Sequence, residues 1–196
     1  MIPELAVFDF DGTLTRKDSL FEFVKFTHGK RQLYIQLLSI LPIIVLNKLG
    51  FISSKRLKES FMEGIYKNVK EAKMWEWGKQ FADTVLPALI LPEAEDRLQW
   101  HISQNHEVLI LSASFDVWLQ PWCEVRNFEL VSSKLEVVED HITGKMNGEN
   151  CKGKEKKRRL KAFLSLRKFA FVYGYGDSRS DKYFYKLVDE VQHKPY

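Results

Sequence analysis

Asp9 and Asp11 stand two residues apart at the end of the short apolar run 5–10, and Gly12 and Thr13 follow at once. In an extended segment, side chains two apart point the same way, so the two carboxylates are expected to crowd each other. Repulsion disfavours such a pair unless a cation lies between them or one of them keeps its proton. Gly12 permits a sharp turn and a close approach of backbone to a ligand. Asp177 and Asp181 repeat the theme in GDSRSD, after a second apolar run at 169–175. They would face one way if Asp181 opens a helix. Each pattern has an ordinary counterpart: solvated acids at a strand-to-turn junction for the first, a helix N-cap for the second. Their joint appearance at two strand ends is what points to chemistry. A small cluster of hard oxygen ligands without His or Cys suits Mg²⁺ better than Zn²⁺.

Two further features fit an anionic ligand. Ser112 closes a third apolar run at 107–112, where its hydroxyl and the amides after it suit phosphate oxygens; a serine there is also an ordinary turn residue. Lys152, Lys154, Lys156 and Lys157 fall near the start of a basic helix at 153–166. A lysine at that place can hold a phosphoryl group as a point charge and offset a carboxylate. Lys152 and Lys156 share a face if both are helical.

The elements that must position these residues can be read from the pattern. The runs 5–10, 107–112, 129–132 and 169–175 read as strands, and 134–148 reads as a β-hairpin. Helices are expected at 19–28, 32–47, 54–67 and 70–86, with breaks near Gly29, Gly50 and Pro87. Others follow at 93–105, introduced by Pro92, at 116–127 despite Pro121, and at 153–166. The βαβαβ alternation outside the helical block implies a parallel sheet covered on both faces: an α/β, Rossmann-like fold. The chain divides into a core of residues 1–15 and 92–196 and a helical insert of 16–91 after the first strand. In such sheets ligands bind at the carboxyl ends of the strands, where these acids, the serine and the lysine converge.

Composition narrows the class. A length of 196 residues suits one α/β domain with an insertion. A net charge of +4, from 30 basic and 26 acidic residues, makes no case for nucleic acid. Cys123 and Cys151 form no CxxC pair, so reduced thiols in a cytoplasmic protein are expected. MIPELAVFDFDG lacks a basic start and carries acids in its apolar stretch, unlike a signal peptide.

Taken in order, DFDGTLT at 9–15, VLILSAS at 108–114, the lysine in CKGKEKKRRL and GYGDSRSD at 174–181 resemble the haloacid dehalogenase superfamily. The insert after the first motif resembles its C1-type cap, in the phosphoserine-phosphatase-like branch. The resemblance implies a phosphoric monoester hydrolase. Asp9 would be the nucleophile, forming an aspartyl phosphate, and Asp11 the general acid and base. Mg²⁺ would be held by Asp9, the Asp11 carbonyl and Asp177, with Asp181 as a direct or outer partner. Ser112 and Lys156 would bind the phosphoryl group, Gly12 and Thr13 would shape the nucleophile loop, and Ala113 would offer its amide. Spacing to Leu160 and Asp177 favours Lys156, with Lys152 the runner-up.

The insert would choose the substrate. Phosphoserine phosphatases place a Glu nine residues after the nucleophile for the substrate amine; here that position is Asp18, whose shorter side chain argues against phosphoserine. Residues 32–47 contain no charged residue. As a helix they would span about 24 Å, short of the roughly 30 Å hydrocarbon core, and Pro42 interrupts them. Two readings stand: a buried seam of the cap, or a segment in peripheral contact with a membrane, flanked by Lys30, Arg31 and Lys48. DGTLT-x-x-D, LLxxLPII and GYGDSxxD also resemble bacterial C-type phosphatidylglycerophosphate phosphatases, which implies a lipid-phosphate headgroup as substrate. The alternatives are phosphoserine or another small soluble ester, a phosphomutase, and a non-enzymatic phospho-acceptor.

Overall fold

The computed structural model describes residues 2–195. In chain order the elements are β1 (Leu5–Phe8), α1 (Ser19–Ser39), α2 (Leu41–Lys48), α3 (Ser54–Tyr66), α4 (Glu71–Thr84), α5 (Leu86–Leu89) and α6 (Pro92–Ser103). They continue with β2 (Glu107–Phe115), α7 (Asp116–Arg126), β3 (Glu129–Ser133), β4 (Leu135–Val138), β5 (His141–Met146), α8 (Lys154–Leu166), β6 (Val172–Gly176), a 3-10 helix (Asp181–Leu187) and β7 (Glu190–His193). Among the described residues, a five-stranded parallel sheet runs in the order β3-β2-β1-β6-β7, and β4 and β5 form an antiparallel hairpin. This is the expected α/β architecture with a helical cap.

The alternation of β1 explains the layers. Leu5 and Val7 face one side and pack with Leu109, Leu111, Leu160 and Phe184. Ala6 and Phe8 face the other and join the larger core shared with α7 and the inserted helices. Strands buried on both faces read as continuous apolar runs, and these do. The chain crosses from β1 to β2 and β3 on one side, then returns to β6 on the other, which makes β1 the switch point of the sheet.

Several boundaries differ from the sequence reading. β1 stops at Phe8, because Asp9 already leaves the extended path and its Oδ1 accepts the Phe10 N–H at 2.7 Å. β2 continues through Ser112 to Phe115, past a register shift between Leu111 and Phe115. The stretch 32–47 is no single helix: α1 kinks at Gly29 (φ 80°), and a further break at Ile40 separates it from α2, whose second residue is Pro42. Lys152 lies before α8, so it shares no helix face with Lys156. Asp181 opens a 3-10 helix, and β7 is a strand the sequence pattern did not suggest.

The insert is fastened to the core at several places. Pro121 in α7 has no N–H to give the Val117 carbonyl four residues back. That carbonyl meets Gly78 of α4, where a Cβ would lie 1.8 Å from it. The hairpin grips the α3–α4 link, with Asn68 N–H donating to Ile142 O (2.9 Å) and Ile142 N–H to Val69 O (2.8 Å). The connections into and out of the insert also pair, through Arg16 N–H to Leu89 O (3.1 Å) and Leu91 N–H to Leu14 O (2.9 Å).

A buried histidine sets a pH dependence of stability. His101 is 0% exposed, with Nε2 2.9 Å from the Tyr175 hydroxyl and Nδ1 2.9 Å from His106 Nδ1. Burial foremost, then His106 and Arg97, push its pKa down to about 3. The unfolded chain takes up that proton near the ordinary 6.5 and the native state does not. Stability is therefore lost as pH falls from 6.5 towards 3, by up to about 1.4 kcal/mol per unit. Thermal melts at pH 7 and 5 should show a smaller drop for His101→Gln than for wild type. Equal drops would refute this account.

Candidate active site

The loop after β1 delivers both N-terminal acids to one cavity of about 390 Å³, yet it sends them to different partners. Asp9 is buried, its amide still tied to the sheet through Tyr175 O at 2.9 Å. Its Oδ1 lies 2.7 Å from Lys156 Nζ. Asp11 turns towards the insert: its Oδ1 accepts the Ser19 N–H at 2.7 Å and its Oδ2 the Ser114 hydroxyl at 2.5 Å. Ser19 Oγ in turn lies 3.0 Å from Ser114 Oγ and accepts Trp118 Nε1–H at 3.2 Å. The expected crowding of Asp9 against Asp11 does not occur, because the extended geometry behind it ends at Phe8. The acids that crowd are Asp9, Asp177 and Asp181, which can each offer an oxygen within 4.8 Å of the others.

Lys156, in the first turn of α8, is the lysine paired with the acids at the site. Its Nζ bridges Asp9 Oδ1 and Asp181 Oδ1 at 2.7 and 2.8 Å, with the side chain 2% exposed. Lys152 is exposed and lines the cavity without an ion pair among the described residues. Burial works against the charge of Lys156, but Asp9 and Asp181 hold its pKa above the ordinary lysine value. Asp9 itself is raised to about 7, by burial first, with Lys156 opposing and Asp181 adding to the rise. Asp177 is raised for the same reasons, burial and then Asp181. Asp181 is held low despite burial, by Lys156 and by Ser178.

Two buried carboxylates, Asp9 and Asp181, and the half-buried Asp177 beside one ammonium leave the cluster short of positive charge, and their hard oxygens match a divalent cation such as Mg²⁺. Asp9 and Asp177 border the cavity, so they are the side chains placed to hold it. Asp181 does not line the cavity and has both oxygens committed, Oδ1 to Lys156 and Oδ2 to Ser178 N (2.9 Å) and Oγ (2.7 Å). Asp11 contributes no carboxylate to the cluster.

Gly12 and Thr13 sit behind Asp177 and do not line the cavity. Gly12 has φ 80°, and a Cβ there would lie 2.6 Å from Asp177 Oδ2, while Thr13 Oγ1 is 3.4 Å from Asp177 Oδ1. Ser112 lines the cavity, and its Oγ accepts the Ser114 N–H at 3.0 Å, leaving its own proton to donate. At Ala113 the contact formed is through the carbonyl, not the amide: Lys58 Nζ donates to it at 2.5 Å. Asp18 is the N-cap of α1, accepting from Leu20 N (3.0 Å) and Phe21 N (3.4 Å).

Lys58 is the site residue the sequence did not reveal. It comes from α3 of the insert, lies 4.5 Å from the Phe115 ring centroid, and lines the cavity near Asp11 and Asp18. Burial lowers its pKa to about 8, against the pull of those acids. Above the polar floor, Leu20, Phe21, Leu37, Ile40, Ile44 and Phe61 give the cavity an apolar wall.

Known proteins match this architecture along nearly its whole length. Protein CicA of Caulobacter vibrioides is 28% identical over 193 residues, covering 96% of this chain and 84% of that protein. A protein of unknown function from Bordetella pertussis Tohama I shares the fold at a TM-score of 0.82 and 19% identity, covering 97% of this chain and 89% of its own. A phosphoserine phosphatase, solved as a phospho-aspartyl intermediate analogue, aligns at a TM-score of 0.65 and 18% identity, covering 97% and 86%. The model of the haloacid dehalogenase-like hydrolases matches residues 6–185, from β1 to the 3-10 helix, so it spans all of the acids, the serine and the lysine described above. This chain belongs to the haloacid dehalogenase-like hydrolase family.

Proposed function

We propose that the protein is an Mg²⁺-dependent phosphomonoester phosphatase that works through an aspartyl phosphate on Asp9. The observation that carries this reading is the placement of Asp9 at the switch point of the sheet, paired with Lys156, with Asp11 lining the same cavity. An Oδ of Asp9 attacks phosphorus and the bond to the leaving oxygen breaks, while Asp11 gives that oxygen its proton. Burial and Asp18 hold the Asp11 carboxyl above its ordinary pKa, which suits it to carry that proton. Water then attacks the phosphoryl group, the Asp9–phosphorus bond breaks, and Asp11 takes back a proton. Lys156 and the Ser112 hydroxyl hold phosphoryl oxygens throughout, so much of the rate comes from positioning and charge. Asp9 and Asp177 would hold an Mg²⁺ ion, with Asp181 as a direct or outer partner, and the ion would supply further neutralisation of phosphoryl charge. A related fold captured with a phospho-aspartyl analogue supports the covalent step.

For the substrate we favour a lipid phosphate such as phosphatidylglycerophosphate. A polar floor under an apolar wall fits a charged headgroup joined to a greasy tail. Asp18 already spends one oxygen on capping α1, which weakens it as a receptor for the amine of phosphoserine. The segment 32–47 would then touch the membrane that holds the substrate.

Phosphate release from an aryl phosphate should require Mg²⁺ and fall to background in chelator. Phosphatidylglycerophosphate in mixed micelles should be hydrolysed with at least about tenfold higher kcat/KM than phosphoserine, a gap of about 1.4 kcal/mol. Full activity in chelator would overturn the metal, and the reverse preference would overturn the lipid.

A further inference from the structure

The composition of α2 is at odds with its place. Its sequence, LPIIVLNK, is apolar through its first six residues, and such a run is normally buried. Among the described residues, none of α2 is buried. Its inner side, Ile44 and Asn47 with Ile40 just before them, lines the catalytic cavity. On its outer side Leu41, Val45, Leu46 and Leu49 are 51%, 47%, 43% and 65% exposed, and Leu38 and Phe51 flank them at 70% and 77%. One helix thus presents apolar surface both to the site and to the outside.

Its attachments are apolar, with Ile43 and Ile44 packed against the core. Ile40 breaks the helix on one side at φ −96°, ψ 8°, and Gly50 turns the chain at φ 82° on the other, with nothing within 4 Å of where its Cβ would be. No polar contact like those that fasten α3 and α4 to the hairpin ties α2 to the core among the described residues; Asn47 Nδ2 bonds only to the neighbouring Ile52 O at 2.8 Å. Between Glu22 and Glu59 the chain carries seven lysines and arginines and no acidic residue. Lys25, Lys55 and Arg56 pair with Glu22, Glu149 and Glu63, and Lys58 lies in the cavity, which leaves Lys30, Arg31 and Lys48 exposed and without an ion pair among the described residues. Basic residues around an exposed apolar strip complement an anionic lipid surface, where the apolar groups sink past the headgroups. Among the described residues, no single helix is long and apolar enough to cross a membrane; α1 and α2 together pass that test but are bent by 56°.

We propose that α2 is an interfacial lid whose outer face seats in an anionic bilayer, turning the helix about Ile40 and Gly50 away from the cavity mouth and raising turnover at a lipid surface. The proposal rests on the phosphatase reading above and adds a regulatory step to it.

Two readouts on the whole protein test it. Val45→Cys can carry an environment-sensitive fluorophore, since the native Cys123 and Cys151 are buried. Its emission should shift to the blue with phosphatidylglycerol-rich vesicles and not with phosphatidylcholine vesicles. The Mg²⁺-dependent rate on a soluble aryl phosphate should rise at least about threefold, or about 0.7 kcal/mol, with the same anionic vesicles. Leu41→Asp/Leu46→Asp should keep the basal rate and lose both responses. No shift with anionic vesicles overturns the docking, and a shift without a rate rise overturns the lid. An equal response to neutral vesicles overturns the charge complementarity. Absence of Mg²⁺-dependent hydrolysis under every condition retires the phosphatase reading and the lid together, while the emission still decides the docking.

Discussion

Asp9→Asn is expected to lower kcat by about 10⁴-fold or more, the scale seen when a covalent nucleophile is removed, while leaving the protein folded. Asparagine has nearly the same shape, but its amide cannot form the phosphoryl bond. The structure also sets the sign of the stability change. Burial raises the Asp9 pKa from 3.8 in the reference state to about 7. The native state therefore binds the proton more tightly than the unfolded chain, and ionising Asp9 costs stability progressively from pH 3.8 to 7. The amide never ionises, so metal-free Asp9→Asn at pH 8 should melt at or above the wild-type temperature. A dead enzyme with an unchanged or higher Tm is the expected pair of results. Activity within tenfold of wild type would refute the nucleophile, and a collapsed Tm would mean that lost folding explains lost activity.

Lys156→Met should be damaging on both counts. Its Nζ is the shared partner of Asp9 and Asp181, which lie 2.7 and 2.8 Å away in a buried site. Removing it leaves two buried carboxylates without their counter-charge, a change that typically costs about 3–5 kcal/mol. It also removes a cation proposed to hold the phosphoryl group, and a loss of at least about 10³-fold in kcat is expected. Lys152→Ala should change stability by less than about 0.5 kcal/mol, because Lys152 is exposed and makes no ion pair among the described residues. Its effect on kcat should stay within about tenfold. Parallel melts and phosphate-release rates for the two variants decide the matter, and a larger loss for Lys152→Ala would reverse the assignment of the lysine.

The acids at the strand ends were legible because strands buried on both faces are short unbroken apolar runs, and a polar residue that interrupts one marks its end. That argument located Asp9 and Asp177 without coordinates, directly after β1 and β6; at Ser112 the apolar run ends but the strand continues to Phe115. It misjudged what happens one residue further on. Strand alternation was carried through Asp9 to Asp11, whereas the backbone turns after Phe8 and sends the two carboxylates apart. The lysine was ambiguous for a related reason: Lys152 and Lys156 are distinguished by where α8 begins, and helix starts are poorly marked in a run of basic residues. Pro121 looked like a local weakness of its helix, and Gly78 drew no notice. Together they form a close backbone contact between α4 and α7, which no reading of either segment alone could find.

What the sequence determined by itself was the candidate set: apolar runs that must be strands, acids at their ends, and a lysine near the start of a basic helix. Local periodicity and the hard-ligand chemistry of aspartate are enough for that. What only the tertiary structure decided was the pairing of those groups. Lys156 meets Asp9 across 147 residues of chain, Ser114 reaches Asp11 from β2, and Lys58 reaches Ala113 from α3. Contacts between residues distant in sequence depend on sheet order and on how the insert packs, and neither leaves a mark on local composition. The exposure of α2 belongs to the same class. The stretch 32–47 is equally apolar whether it lies inside a cap or outside it, and only packing shows that the outer face of α2 has no partner among the described residues.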